Sequence, residues 1–249
     1  MEERITSRKN SYLQQVRKLL SSRKEREKEG LFVADGTKLL QEAVKYFPGL
    51  DTVILSDGIV AEVPAHVRVI RVPEDVMSSV SPMETPQGAL FVCRLPERKP
   101  FMAAAPMLLL DGIQDPGNLG TILRTADAMN VPVALLEGCA DPYSHKVVRA
   151  SMGAVLRVQP VMTTWAEAKA ALDAAGIPVA VTALSERSQN IRLAEVGKMA
   201  VVIGSEGQGV RQEILDAAAH QLIIPMNVHC ESLNAAIAAA IVAWQMQQV

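Results

Sequence analysis

Leu222-Ile223-Ile224-Pro225-Met226, a short polar loop, then Glu231-Ser232-Leu233-Asn234 and an unbroken run from Ala235 to Gln248: this stretch decides how the chain folds. The first five residues read as a strand stopped by proline, and Ser232 stands where a helix N-cap belongs. Alanine at 235, 236, 238, 239, 240 and 243, with Ile237, Ile241, Val242 and Trp244, leaves the helix almost no polar face before its last residues. A helix that is apolar all round has to be buried. The requirement is met by packing against another chain as well as against its own sheet.

Upstream, the same alternation repeats. Met107–Leu110, Val131–Leu136, Val155–Val158, Pro178–Thr182, Ala200–Ile203 and Gln221–Ile224 read as strands. A helix capped by Asn118, with Ile122, Ala126 and Met129 inward, and helical stretches at 143–152, 164–174 and 209–219 separate them. Strands spaced by helices predict an α/β domain with a parallel sheet covered on both faces. Ligands of such sheets sit beyond the carboxyl ends of the strands. The residues there are Asn118, Thr182-Ala183-Leu184, Gly204-Ser205-Glu206-Gly207-Gln208-Gly209 and the loop from Pro225 to Asn234. The glycine spacing reverses the dinucleotide fingerprint, no Lys-Ser/Thr follows to make a P-loop, and Glu206 would repel a phosphate. The loop suits a ligand that needs close backbone hydrogen bonds without phosphate neutralisation.

Arg124 sits one turn after Gly120, and helical side chains lean toward the helix N-terminus. A cation facing that positive end is unfavourable unless an anion joins it, and a nucleic-acid phosphate would suit. The alternative is a surface arginine beside Asp127 or Glu206.

The first third is a smaller α/β unit. Leu31–Ala34, Thr52–Leu55, Val67–Val72 and Gly88–Cys93 read as strands, with helices over Thr37–Phe47 and from Pro73. Pro96-Glu97-Arg98-Lys99-Pro100 marks a boundary. The expected organisation is a first domain over 1–98, a linker over 99–105 and a second domain over 106–249. Residues 1–29 hold nine Lys or Arg against five Glu, an excess of +4; since the whole chain carries −2, the remaining 220 residues sum to −6. Leu13, Val16 and Leu20 give this basic stretch a narrow apolar stripe. It is either a nucleic-acid-binding helix or a solvated helical face. Three cysteines with no CxxC spacing indicate neither a disulfide framework nor a zinc site. With no apolar leader and no run of about 18 uncharged apolar residues, the expectation is a cytoplasmic protein with no membrane contact.

Asn118-x-Gly120-x-x-x-Arg124, Ile203-Gly204-x-Glu206-Gly207-x-Gly209, and Ile224-Pro225-Met226 followed by Glu231-Ser232-Leu233-Asn234 resemble the three motifs of the SpoU (TrmH-like) RNA ribose 2′-O-methyltransferases of the SPOUT superfamily. The similarity runs through Arg149-Ala150-Ser151-x-Gly153-Ala154 and covers 106–249. Phe32-Val33-Ala34-Asp35-Gly36 and Pro86-Gln87-Gly88 resemble, more weakly, an RNA-binding module seen in the same family. Val228 and Asp35 depart from its pattern, which more often has glycine and glutamate there.

The resemblance implies a deep trefoil knot, a homodimer built on the final helix and the helix at Asn118, and S-adenosylmethionine as cofactor without a metal. Thr182, Ala183, Leu184, Gly204, Gly209, Ile224, Met226, Ser232 and Leu233 would hold that cofactor. Asn118, Arg124, Glu206, Ser232 and Asn234 would be catalytic. The implied substrate is RNA, ribosomal in preference to transfer RNA. A transfer-RNA enzyme, an inactive ribosome-associated RNA-binding protein and a nucleotide-binding enzyme sharing only the sheet are the other readings.

Overall fold

The structure is a computed structural model describing residues 3–227, 229–230 and 232–247. Val228, Glu231 and Gln248, named above, lie outside the described residues. The chain divides into two compact units, one of Met1–Glu97 with Asp141–Arg157, the other of Arg98–Ala140 with Val158–Val249. Segment 141–157, assigned from sequence to the second domain, therefore belongs to the first unit. Phe101 and Ala103 of the stretch read as a linker pack against the core of the second.

The first unit contains strands β1 (Glu3–Arg4), β2 (Leu31–Asp35), β3 (Leu50–Ser56), β4 (Arg68–Val72) and β5 (Ala89–Arg94), in the order β1-β4-β3-β5-β2. β1, β3 and β4 pair in parallel, while β5 runs antiparallel to both β2 and β3. Helix Ser11–Ser21 begins at Asn10, whose side chain accepts from the backbone of Tyr12 and Leu13. Its Leu13, Val16, Leu19 and Leu20 enter the same core as Ile54, Ile70, Leu90 and Val92.

The expected apolar stripe of the basic segment is core, and the charged residues around it stay on the surface. Its cations are largely engaged within the protein. Arg4 pairs with Asp57 (2.8 Å), Arg8 with Asp75 (2.7 Å), Arg23 with Glu27 (2.8 Å) and Lys28 with Glu29 (3.1 Å). Arg17 donates to the Ser79 carbonyl at 3.1 Å. Arg26 is buried, bonded to Asp141 at 2.6 Å and to the Leu19 carbonyl at 2.5 Å. A charge count locates cations but not carboxylates that reach them from 115 residues away.

The second unit carries an all-parallel sheet of seven strands: β6 (Met107–Asp111), β7 (Val133–Leu135), β8 (Val161–Met162), β9 (Val179–Thr182), β10 (Gln189–Asn190), β11 (Ala200–Gly204) and β12 (His220–Ile223). Their order is β10-β12-β9-β11-β6-β7-β8. The central strands are continuous apolar runs, as burial on both faces demands. The expected strand at 155–158 is instead a helix, Ala154–Val158, and β8 takes the sheet edge. Short apolar runs of this kind do not discriminate helix from strand. Here the left-handed backbone of Met152 and Gly153 feeds the chain straight into a helical turn. Among the described residues no helix is long and apolar enough to cross a membrane.

The final helix spans Ala235–Gln245 and packs on helix Pro116–Met129 and on β11. It buries Ala235, Ala236, Ala239, Val242 and Ala243 but leaves Ile237 51% and Trp244 59% exposed.

The Leu13→Ala variant should lose about 2–5 kcal/mol of stability in the first unit, the range for truncating a buried leucine. Urea denaturation followed by circular dichroism measures it; a loss below that range would mean that the basic helix is only loosely attached.

Candidate active site

The carboxyl ends of β9, β11 and β12 open onto a cavity of about 730 Å³. Thr182, Ala183, Leu184, Gly204, Gly209, Ile224, Met226, Ser232 and Leu233, the residues singled out for a cofactor, all line it. Its size is that of a small-molecule site, roughly 300–1,000 Å³. The charged side chains on its wall are Glu186, Glu206 and Asp216 against Arg187. A ligand of net positive charge with an apolar ring fits this wall; a polyphosphate does not.

Beside the cavity, three of the five residues expected to be catalytic meet. Glu206 Oε1 accepts from Asn118 Nδ2 at 2.9 Å, from Asn234 Nδ2 at 2.5 Å and from the backbone N–H of Ala235 at 3.2 Å. Asn234 Nδ2 also donates to Asn118 Oδ1 at 2.9 Å. Two capping assignments change as a result. Asp115, not Asn118, caps helix Pro116–Met129, its carboxylate accepting from the Asn118 N–H at 2.8 Å. Proline fits the first helical position, so the cap precedes it. Asn234, not Ser232, caps the final helix by accepting from Ala236 and Ile237. Ser232 is exposed at the cavity, and its carbonyl accepts from the Cys230 thiol at 3.3 Å. Arg124 is exposed on helix Pro116–Met129 and donates to none of Asn118, Glu206 and Asn234.

Gly204, on the cavity wall, also serves the loop's own backbone. Ser205 and Gly209 exchange backbone hydrogen bonds at 3.1 and 2.9 Å, folding the loop back on itself. A Cβ on Gly204 would lie 2.1 Å from the Gly209 carbonyl carbon. Any side chain on Gly204 would therefore disrupt the loop itself. Gly209, at φ +67°, supplies the left-handed turn.

An ion-pair cluster that the motifs did not reveal anchors this loop. Asp111, 2% exposed at the end of β6, accepts from the Arg211 backbone N–H at 2.9 Å and from its Nε at 2.7 Å. The same guanidinium reaches Glu137 at 2.8 Å and Glu213 at 3.0 Å. Burial would raise the Glu137 carboxyl pKa, but hydrogen bonds from its own backbone, from Arg211 and from the Trp165 N–H hold it below the ordinary value. The available signal was an acid ending a buried apolar strand, since a buried carboxylate requires a partner. Among the described residues, no group of three or more His, Cys, Asp or Glu is placed to hold a metal ion.

A parallel α/β unit whose cofactor-sized cavity borders an Asn–Glu–Asn cluster defines the class. Residues 105–244 match the SpoU rRNA Methylase family, and residues 10–90 match the MRM3-like substrate binding domain. The chain is 34% identical to 23S rRNA (guanosine(2553)-2′-O)-methyltransferase RlmP of Bacillus subtilis, over 98% of this chain and 99% of that protein. A TrmH-family protein from Porphyromonas gingivalis superposes with a TM-score of 0.87 at 34% identity, covering 96% of this chain and 98% of that one. The AdoMet-bound rRNA methyltransferase from Sinorhizobium meliloti does so with a TM-score of 0.89 at 28% identity, covering 99% and 98%. The chain belongs to the SpoU rRNA methylase family.

Arg211→Met leaves the buried Asp111 carboxylate without its charged partner and should destabilise the second unit by about 3 kcal/mol. Differential denaturation against wild type checks this; an unchanged midpoint would mean that the cluster is a surface ornament.

Proposed function

We propose that the chain transfers a methyl group from S-adenosylmethionine to a ribose 2′-hydroxyl of ribosomal RNA. The observation that carries this reading is the Asn118–Glu206–Asn234 cluster, which joins all three sequence motifs at the edge of a cavity lined by the second and third. The rRNA methyltransferase relatives, matched over nearly the whole chain, favour ribosomal over transfer RNA. S-adenosylmethionine, when bound, supplies a methyl group on a sulfonium, a leaving group that needs no electrophilic assistance.

The protein's own contribution is orientation and electrostatics. Leu184, Ile224, Met226 and Leu233 provide apolar wall for an adenosine, with backbone groups of Gly204, Ile224 and Leu233 as its polar contacts. Asn118, Glu206 and Asn234 fix the relation between helix Pro116–Met129 and the cavity, and Ser232 faces the same space. Arg124 holds a phosphate flanking the target ribose and stabilises the alkoxide as it develops. Arginine is far too weak a base to take the proton, so the hydroxyl loses it to water as the methyl group arrives.

The same reading includes the knot and the dimer. β11 enters the sheet between β6 and β9, and β12 between β9 and β10, so late strands occupy slots bounded by earlier ones. That connectivity supports threading of the C-terminal segment through a loop, an exception to the rule against knotted chains. The outward Ile237 and Trp244 support a homodimer through the final helix. The first unit serves as the RNA-binding module, and the enzyme works in the cytoplasm, where its substrate is.

Methylation of ribosomal RNA by the purified chain, mapped as a 2′-O-methyl stop, tests the reaction; transfer to no RNA would refute it. Arg124→Ala and Asn118→Ala should each reduce the rate by about 2.7–4 kcal/mol of transition-state stabilisation. Calorimetry should show S-adenosylmethionine affinity unchanged in Arg124→Ala, and wild-type turnover in that variant would remove its catalytic role. Trp244→Asp should convert a dimer to a monomer in sedimentation; a wild-type monomer at micromolar concentration would contradict the assembly.

A further inference from the structure

Tyr46 and Trp244 are the exposed aromatic residues among those described, and Trp244 belongs to the face of the final helix. Tyr46, 43% exposed, ends helix Thr37–Tyr46 while its neighbour Phe47 turns into the core. Two cations flank its ring, Lys45 Nζ at 4.8 Å and Arg157 Cζ at 5.4 Å from the centroid. Arg157 is in turn held by Glu42, one turn back along the helix.

A second feature adjoins the same helix. An added Cβ on Gly153 would lie 3.3 Å from Glu42 Cβ and from Leu39 Cδ2, so the 151–153 turn is packed against it. Within that turn Met152 has a φ of +51° and a side chain half exposed, while Ser151 is fully buried. Met152 thus presents an apolar side chain to solvent beside the same helix. Lys45 and Arg157 stand at the ring against Glu42, a local excess of one positive charge.

Nucleic-acid surfaces for unpaired strands combine an aromatic ring or soft apolar side chain for the base with cations for the backbone. An exposed aromatic ring with cations against it offers that combination on this face. We infer that Tyr46, flanked by Lys45 and Arg157 and with Met152 nearby, stacks on an unpaired nucleotide of the RNA substrate. The inference rests on the methyltransferase reading and specifies where its substrate is gripped, including residues of the 141–157 segment.

Filter binding of a large-subunit ribosomal RNA transcript by the full chain, at several salt concentrations, tests it. Tyr46→Ala should weaken binding by about tenfold or more, the effect of losing one stacked base, while Tyr46→Phe retains affinity. Lys45→Ala should lower the salt slope by roughly 0.7–0.9, one phosphate contact. S-adenosylmethionine affinity by calorimetry should be unchanged in all three. Wild-type RNA affinity in Tyr46→Ala, or equal loss in Tyr46→Ala and Tyr46→Phe, overturns the inference, and the first outcome would leave the patch to a protein partner. If wild-type protein methylates the transcript while Tyr46→Ala binds it normally, only this inference fails; if wild-type protein neither binds nor methylates it, the functional reading fails as well.

Discussion

One carboxylate oxygen ties the active region together. Glu206 Oε1 receives donors from a helix beginning at residue 116, from a loop ending at residue 234 and from the first N–H of the final helix. A negative charge at a helix N-terminus complements the dipole and satisfies donors that have no partner inside the helix. The cluster is exposed enough that its direct contribution to stability is modest. Its consequence is geometric: the segments of Asn118, Glu206 and Asn234-Ala235, far apart in the chain, are fixed at one point beside the cavity.

Delivering Glu206 to that point depends on the turn that carries it. Gly204 and Gly209 allow the loop to fold back with its two strands of backbone in contact, and Asp111 with Arg211 fastens its far end to β6. Gly204 and Asp111 are Cα partners across the β11–β6 ladder, so the loop is anchored on both sides at the same level of the sheet. The glycines thus act first on the protein's own backbone. A ligand benefits because the resulting wall is already formed.

Much of this was legible in the sequence, for physical reasons. Central parallel strands must be apolar on both faces, so Met107–Leu110 and Ala200–Ile203 could not be mistaken, and the carboxyl-end rule put Thr182, Gly204 and Ile224 on one cavity. The illegible parts are those set by tertiary partners. Helix caps moved by a few residues because Asp115 precedes a proline and Asn234 directly precedes the alanine run. The 154–158 turn went to helix because backbone signs at Met152 and Gly153 override a β-branched pattern. Segment 141–157 packs with the first unit through Asp141 and Tyr143, which meet Arg26 and Phe32, contacts no local pattern announces. The charge excess at the N-terminus was legible, but its partners Asp57, Asp75 and Asp141 were not, because they lie elsewhere in the chain.

The same bookkeeping of partners explains the position of Arg124. Had Glu206 paired with it, an incoming phosphate would have to break an ion pair before gaining one, and the net gain would be small. Glu206 Oε1 is instead committed to three N–H donors that carry no full charge. These donors hold the carboxylate without competing for an anion, and they keep it from acting as counter-ion to the guanidinium. In the proposed mechanism Arg124, exposed on the same helix as Asn118, keeps its donors for a group supplied by the substrate. In that mechanism the acid on the cavity wall is held by neutral donors, which is how a cavity of net negative lining and a polyanionic substrate are accommodated side by side.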